Sequence, residues 1–585
     1  MSERRALLGV GTAVVAFVAL GLVVFGSTGH DDSHITYWAA HALADLGEIV
    51  NYNGDRVEQS SSLAQVVLLA IASKLLGVAL PTLGPLSSIA FGVLSIFLAA
   101  KLARRAVPEG GALVPTTAAW VAATSPQLVY WAFGGLESTL VAAAAAWVIL
   151  AMADHLHAPS PRRLGAAAAA MALHLTARPE SPMVLGCLLG AAGAYQWLRA
   201  PRSATSTLRP VLALIVVFVV ETASMVGFRR IYFGSSFPNP VTTKASSLDP
   251  VAGLRYLAAH TFPATLWLFV AIIAAAYLVA LRLRSPDGPR LETALGCAFA
   301  TAYLGFIVLI GGDWMMGGRF ISHLVPIAAM LLAVAVSRVL ARRPRLAVGT
   351  LGLVLVSNAL GVASLAGGVS SGRPIWTTRS VRSDLDARLG GTPGRFGWFE
   401  TTNLVHLRDA PVVVAMEEVV SALRAQDPSL RVVVMSTQAG MVPYYLARSS
   451  FGDLRFIDPC SLVTRDFLPC LPKEELVDHP ACRMLPYDKY FREAARIDRT
   501  CGSERPHVVF GLKKRNISAV LENAGYVVVY EQHGPMRPGQ DNSLGDDYTF
   551  RADEIVAVDR ELAARAGIRA KAPWAWDVGY HPRAR

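Results

Sequence analysis

Apolar residues along this chain are gathered into long blocks. Blocks at 7–27, 84–103, 112–128, 136–153, 164–177, 183–198, 209–228, 263–281, 291–311, 321–341 and 346–366 are each roughly long enough to cross about 30 Å of hydrocarbon as a helix. After about residue 367 the pattern changes. Short β-rich runs, PVVVAM, RVVVMST, HVVFGL and GYVVVYEQ, alternate with helical stretches such as EEVVSALRAQ, KYFREAARI and NISAVLENAG. The pattern predicts a polytopic α-helical membrane protein with about eleven transmembrane helices over 1–366. A soluble α/β or α+β domain over 367–585 follows it.

Between the first two blocks lies the loop 28–62, which carries GHDDSHITYWAAHALADLGEIVNYNGDRVEQSS. From Ile35 its apolar positions fall at 35, 38, 39, 42, 43 and 46, the spacing of a helix with one apolar face. Such a helix is expected to lie along the membrane, with Asp32 or Ser33 at its N-cap. Asp31 has no such local duty, and the positive end of a helix dipole favours its ionised form.

Of the 585 residues 53% are hydrophobic and 17% charged, and the net charge is +11. That charge is not a nucleic-acid footprint, because the basic clusters Arg4/Arg5, Lys101/Arg104/Arg105, Arg162/Arg163, Arg199/Arg202, Arg282/Arg284/Arg290 and Arg342/Arg343/Arg345 recur at alternate ends of the blocks. Those ends are read as cytoplasmic. A full crossing by LAQVVLLAIASKLLGVAL, residues 63–80, would reverse every later loop against this bias, so the stretch is expected to be re-entrant or to lean on the outer boundary. The first block is read as an uncleaved anchor, since it exceeds a signal-peptide core.

An odd number of spans then puts 367–585 outside. Cys460, Cys470, Cys482 and Cys501 all fall there, an even number suited to two disulfides in an oxidising compartment, with three pairings open. Zinc is the alternative, but no C-x2-C spacing occurs.

With orientation set, the polar residues at the outer ends are Asp31, Asp32, Glu58, Glu137, Arg178, Glu180, Arg229, Arg230, Lys244, Asp313, Arg319 and His323. Ionisable groups at a bilayer boundary are costly unless paired or facing a wet cavity, which makes the set a candidate site. His30 and His34 beside the aspartates give the donors for a divalent cation, although two histidines four apart on a turn are more often solvated.

DDSHITYWAAHALADLGEIVNYNGDRVEQSSSL, SPQLVYWAFGGLEST, TARPESP, SSFPNPVTTK and GGDWMMGGRF together resemble the GT-C glycosyltransferases that use polyprenyl-phosphate sugars. The likeness is nearest to the terminal arabinofuranosyltransferases of mycobacterial cell walls and their bacterial relatives. It covers about 30–330, and more loosely VVVMSTQAGMVPYYLARSSFGDLRFID. It implies a multi-pass protein of the bacterial cytoplasmic membrane whose active site faces outward. Asp31 and Asp32 match the family's acidic pair, Glu58 the glutamate of its VEG, Glu137 that of its GLE, and Arg178 with Glu180 its RPE. Lys244 matches the lysine after its PN turn, and Asp313 with Arg319 its GGDW…R segment. The chain departs from the family at Trp38, where relatives often carry arginine, and at VEQSSSLA, where they have VEGYSSPLW.

The expected partners are a polyprenyl-phosphate-linked sugar, a glycan or protein acceptor and the lipid bilayer, with no nucleic acid. The expected chemistry is an inverting transfer with Asp31 as general base, Asp32 orienting the acceptor or a cation, and Lys244, Arg319 and Arg178 facing the departing phosphate. The soluble domain is expected to act as a lid or glycan-binding module, with Tyr444, Tyr445, Trp574 and Trp576 as candidate platforms. NIS at 516–518 is a sequon by pattern. A transporter or flippase is the rival, although the acidic residues gather at one face and no repeat is clear. An envelope scaffold is a third reading.

Overall fold

The structure is a computed structural model that describes residues 2–24, 31–199, 208–244, 248–261, 265–282, 290–313, 315, 317–340, 343–371, 411–436, 439–467, 469–479, 482–512, 517–533, 554–570 and 574–575. Its helices are α1 (Ser2–Val24), α2 (Ser33–His41), α3 (Leu63–Leu76), α4 (Leu80–Ala106), α5 (Leu113–Thr124), α6 (Pro126–Ala132), α7 (Ser138–His157), α8 (Pro161–Ala177) and α9 (Ser181–Arg199). There follow α10 (Arg209–Phe233), α11 (Asn239–Lys244), α12 (Pro250–Thr261), α13 (Trp267–Arg282), α14 (Leu291–Leu309), α15 (Arg319–Ser322), α16 (Val325–Leu340) and α17 (Pro344–Ser371). The soluble part adds α18 (Pro411–Gln426) and α19 (Met441–Ser450) before further short elements.

Each predicted span coincides with a helix. By length and composition six of the described helices can cross a membrane: the larger parts of α1 and α17, and all of α4, α7, α10 and α14. The other predicted spans are shorter or less apolar, and the one at 112–128 breaks at Ser125, before Pro126. Helix α3 has 14 residues and rises about 21 Å, short of a full crossing.

At the centre stands α7, STLVAAAAAWVILAMADHLH, buried along nearly its whole length. Its run of alanines lets α4 and α8 approach its backbone closely, which replaces the hydrophobic driving force that lipid removes. Around it, side chains from α1, α5, α14 and α16 close one continuous core.

The soluble part holds a six-stranded mixed sheet. Strand β1 (Val432–Ser436) pairs in parallel with Leu454–Ile457 and with Val508–Leu512, and Glu554–Asp559 then pairs antiparallel with Val508–Leu512 and Tyr526–His533. All five residues of β1 are buried, as expected for a strand covered on both faces. PVVVAM, expected as a strand, instead opens α18. Its valines continue the 3.6-residue stripe of the following EEVVSALRAQ, and the buried side of that helix includes Val412, Val413, Met416, Val419 and Val420.

A second core joins the two parts. Ile35, Tyr37 and Trp38 of α2 and Leu80 and Leu83 of α4 pack in one cluster with Val413 and Met416 of α18 and Met441, Val442 and Tyr444 of α19. The helix expected to lie on the membrane is therefore enclosed, and its residues from Ser33 to Ala40 are all buried. The soluble domain covers it, with Tyr444 against His34 and Tyr37 and Phe451 against Trp38. Tyr37 is held from below where Gly84 and Gly135 leave no room for a Cβ beside the phenol, and its hydroxyl donates to Gly135 O at 3.3 Å.

The cysteine expectation fits this part of the chain. Cys470 is bonded to Cys501 and Cys460 is also in a disulfide, while the Cys482 side chain lies outside the described residues. Cys187 and Cys297 are free.

Candidate active site

Several of the charged candidate residues sit at the short loops that join the helices, in ion-paired groups. Glu137 ends the FGGLE turn ahead of α7, and Arg178 and Glu180 form the RPE corner between α8 and α9. The Arg178 guanidinium donates from Nη1 to Glu137 Oε1 at 2.5 Å and from Nε to Glu180 Oε1 at 2.9 Å. It also reaches Ser61 Oγ, at the end of the first outer loop, at 3.5 Å. All three charged side chains are buried. Burial alone would push the Glu137 carboxyl up, but Arg178 and then Arg319 outweigh it and hold it below the ordinary value. The same burial works against the charge of Arg178, and Glu180 and Glu137 reverse the direction, raising it.

The GGDW segment supplies a second pair, with Arg319 Nε 2.7 Å from Asp313 Oδ2. Phe320 links the two pairs, because the guanidinium of Arg178 lies 5.1 Å and that of Arg319 5.5 Å from the centre of its ring. Against the cost of burial, Asp313, Glu137 and Asp32 all favour the charged form of Arg319, which places Asp32 within the field of this network. From α14, Tyr303 donates its hydroxyl to Glu180 Oε1 at 3.0 Å and lies 2.5 Å from His323 Nδ1. With the phenol's one proton given to Glu180, His323 must donate through Nδ1, which leaves Nε2 as an acceptor. Glu180 Oε2 and His323 Nε2 are buried with no hydrogen-bond partner among the described residues.

Glu58 belongs to a third pair. Arg229 grips it with both arms, Nε to Oε2 at 2.8 Å and Nη2 to Oε1 at 2.9 Å. The backbone oxygen of Glu58 accepts the N–H of Asn239 at 2.9 Å. The first loop is thereby pinned to the PN turn that starts α11. Lys244 ends that helix, and its side chain lies outside the described residues, as do His30, the sequon residue Asn516, Trp576 and the side chain of Trp574.

The two aspartates differ in what their side chains bond. Asp32 holds the N-cap position of α2, yet its side chain makes no capping bond there. The carboxylate of Asp31, expected to have no local duty, accepts the backbone N–H of Met441 at 2.7 Å. Tyr444 is buried against His34 and Tyr37, so it is a packing residue and not an exposed glycan platform. Tyr445 is partly exposed beside them. Among the described residues no group of three His, Cys, Asp or Glu side chains is placed to hold a metal ion.

Several contacts had no signal in periodicity or charge. Asn51, Tyr52 and Asn53, the NYN of the first loop, all bond to the soluble domain: Asn51 Nδ2 to Val463 O at 3.0 Å, Tyr52 Oη to Ala439 O at 2.9 Å and Asn53 Nδ2 to Phe456 O at 2.9 Å. Asn239 Nδ2 likewise donates to Ser461 O at 2.6 Å. A polar triplet next to a glycine reads as a solvated turn until its partners are seen.

No family model matches the sequence, and no curated protein matches it. Solved structures do. ArnT from Cupriavidus metallidurans, in the apo state, aligns with a TM-score of 0.53 at 16% identity over 94% of this chain and 98% of that one. A second structure of ArnT, bound to undecaprenyl phosphate, aligns with a TM-score of 0.51 over 93% and 98%. The archaeal oligosaccharyltransferase AglB from Archaeoglobus fulgidus, in complex with an inhibitory peptide and a dolichol-phosphate, aligns with a TM-score of 0.50 at 13% identity over 96% and 77%. The chain has the GT-C glycosyltransferase fold. Nothing in these likenesses sets the mycobacterial arabinofuranosyltransferases apart from the other members of the fold.

Proposed function

We propose that the chain is a membrane glycosyltransferase that moves a sugar from a polyprenyl phosphate to a hydroxyl of an envelope glycan or protein, on the outer face of the bacterial cytoplasmic membrane. The observation that carries this reading is a GT-C fold that buries the Glu137–Arg178–Glu180 and Asp313–Arg319 groups, with the first loop reaching Arg178 through Ser61 and Asp32 favouring the charged form of Arg319. Structures of ArnT and AglB hold undecaprenyl phosphate and dolichol-phosphate respectively, which supports a lipid-linked donor here.

In the proposed step the acceptor oxygen attacks the anomeric carbon and its proton passes to Asp31. The bond from that carbon to the phosphate oxygen breaks, and the electron pair leaves with polyprenyl phosphate. Attack opposite the leaving group inverts the anomeric centre. Asp32 orients the acceptor, and Glu180 Oε2 and His323 Nε2 are free to bind sugar hydroxyls. Arg178 is already matched by two carboxylates, so its role is to hold the cavity wall. Lys244 and Arg319 are the cations assigned to the phosphate. Arabinofuranose remains the first donor sugar to try, on the motif likeness in the first loop.

The test uses the full chain in proteoliposomes with a purified polyprenyl-phosphate pentose and a mixed glycan acceptor. Wild type should release polyprenyl phosphate together with a glycosylated product, and Asp31→Asn should cut the rate by about 100-fold or more. Movement of the donor across the bilayer without release of polyprenyl phosphate would favour a transporter instead.

A further inference from the structure

The contact between Asp31 and Met441 crosses from the membrane part to the soluble part, 410 positions apart in the chain. Met441 is the first residue of α19, so the N–H it offers is one of the donors that a helix leaves without a partner in its own first turn. The approach is close. A Cβ on Gly440 would collide with the backbone carbonyl and the carboxyl carbon of Asp31, so any larger residue at 440 pushes the loop away. From the other side Tyr52 Oη donates to Ala439 O at 2.9 Å and lies 3.2 Å from Gly440 O. The 439–441 turn is thus held between a buried tyrosine and the carboxylate.

We propose that residues 439–441 of the soluble domain are a positioning element of the transfer site, fixing the rotamer of Asp31 through the Met441 N–H. The inference rests on Asp31 being the general base. It makes the soluble domain part of the catalytic apparatus, and not only a lid. Among the described residues, charged or titratable groups near this carboxylate include Asp32 and His34 on its own segment, Tyr52 from the NYN turn, Tyr444 and Tyr445 from α19, and Arg319 from the bundle through Asp32. Removing the Met441 donor takes away a hydrogen bond that favours the carboxylate, so Asp31 should become easier to protonate.

Met441→Pro removes that N–H together with the buried Met441 side chain. The first helical position tolerates proline. Met441→Ala trims the buried side chain and keeps the N–H. In proteoliposomes Met441→Pro should lower kcat about 10- to 100-fold with the donor KM unchanged, and move the acid limb of the pH profile up by about one unit. Met441→Ala should leave that limb in place, and His34→Gln separates the imidazole's titration from the carboxylate's. Independently of activity, thermal unfolding of Asp31→Ala, Met441→Pro and the double variant should show a shared, non-additive loss. Additive losses, or a Met441→Pro variant that matches Met441→Ala in kcat and acid limb, overturn the inference while leaving sugar transfer standing. A wild type that releases no polyprenyl phosphate overturns both, even with the contact present in the unfolding cycle.

Discussion

Replacing Arg178 with methionine tests the buried triad most directly. The Arg178 side chain is 5% exposed, and it serves Glu137 at 3% and Glu180 at 2%. Methionine fills part of the volume and supplies neither donor nor charge, so two buried carboxylates are left facing one another. Breaking a buried pair costs about 3–5 kcal/mol. The loss does not double, because one glutamate takes up a proton and stops repelling the other. Arg178→Lys keeps the charge but replaces a fork that reaches both carboxylates at 2.5 and 2.9 Å with a single ammonium, for a smaller loss of about 1–2 kcal/mol. The sharpest signature is a reversal of sign. Glu137→Leu should destabilise the wild type, since it takes the charged partner from Arg178 Nη1, yet stabilise Arg178→Met, since it removes one of the stranded carboxylates. Apparent melting temperatures of the full chain in lipid nanodiscs, followed by tryptophan fluorescence at pH 8, read all four variants. An Arg178→Met chain that melts with the wild type, or a Glu137→Leu effect equal in both backgrounds, refutes the account.

The lowered Glu137 carboxyl also has a direction in pH. Its contribution is complete above the ordinary glutamate value of about 4.3 and is lost as pH falls through its lower folded value; the stability gap between wild type and Glu137→Gln should therefore close on acidification, as melting curves from pH 7 to pH 3 would show. Cys470 and Cys501 close a loop of sequence separation 31, so Cys470→Ser should cost the soluble domain about 3–4 kcal/mol, read by limited proteolysis with and without reductant. Gly135 has φ of +73° and no space beside the Tyr37 hydroxyl; Gly135→Ala should cost at least about 1–2 kcal/mol and weaken the docking of the first loop, measured as faster proteolysis within residues 31–62.

The apolar helices, the mixed α/β pattern after them and the polar residues at the helix ends were legible before any coordinates, because they rest on local properties. Hydrocarbon admits only long apolar helices, and basic residues mark one side of them. The motif likeness then selected residues that do meet in space: Glu137 with Arg178 and Glu180, Asp313 with Arg319, and Asp32 within their field. What stayed illegible was pairing. Glu58 and Arg229 are 171 positions apart, and no periodicity links them. The run PVVVAM satisfied a strand pattern and a helix pattern alike, and only its buried partners in α18 and α19 chose between them.

The amphipathic segment after Asp32 shows the division most clearly. Its spacing determined that it would be a helix with one apolar side, since a 3.6-residue stripe admits no other regular structure. Whether its polar side met water or protein was decided by the soluble domain, which returns some four hundred residues later to cover Tyr37 and bond to Asp31. Burial and hydrogen bonding are properties of what lies opposite a residue, and that information is spread over the whole chain.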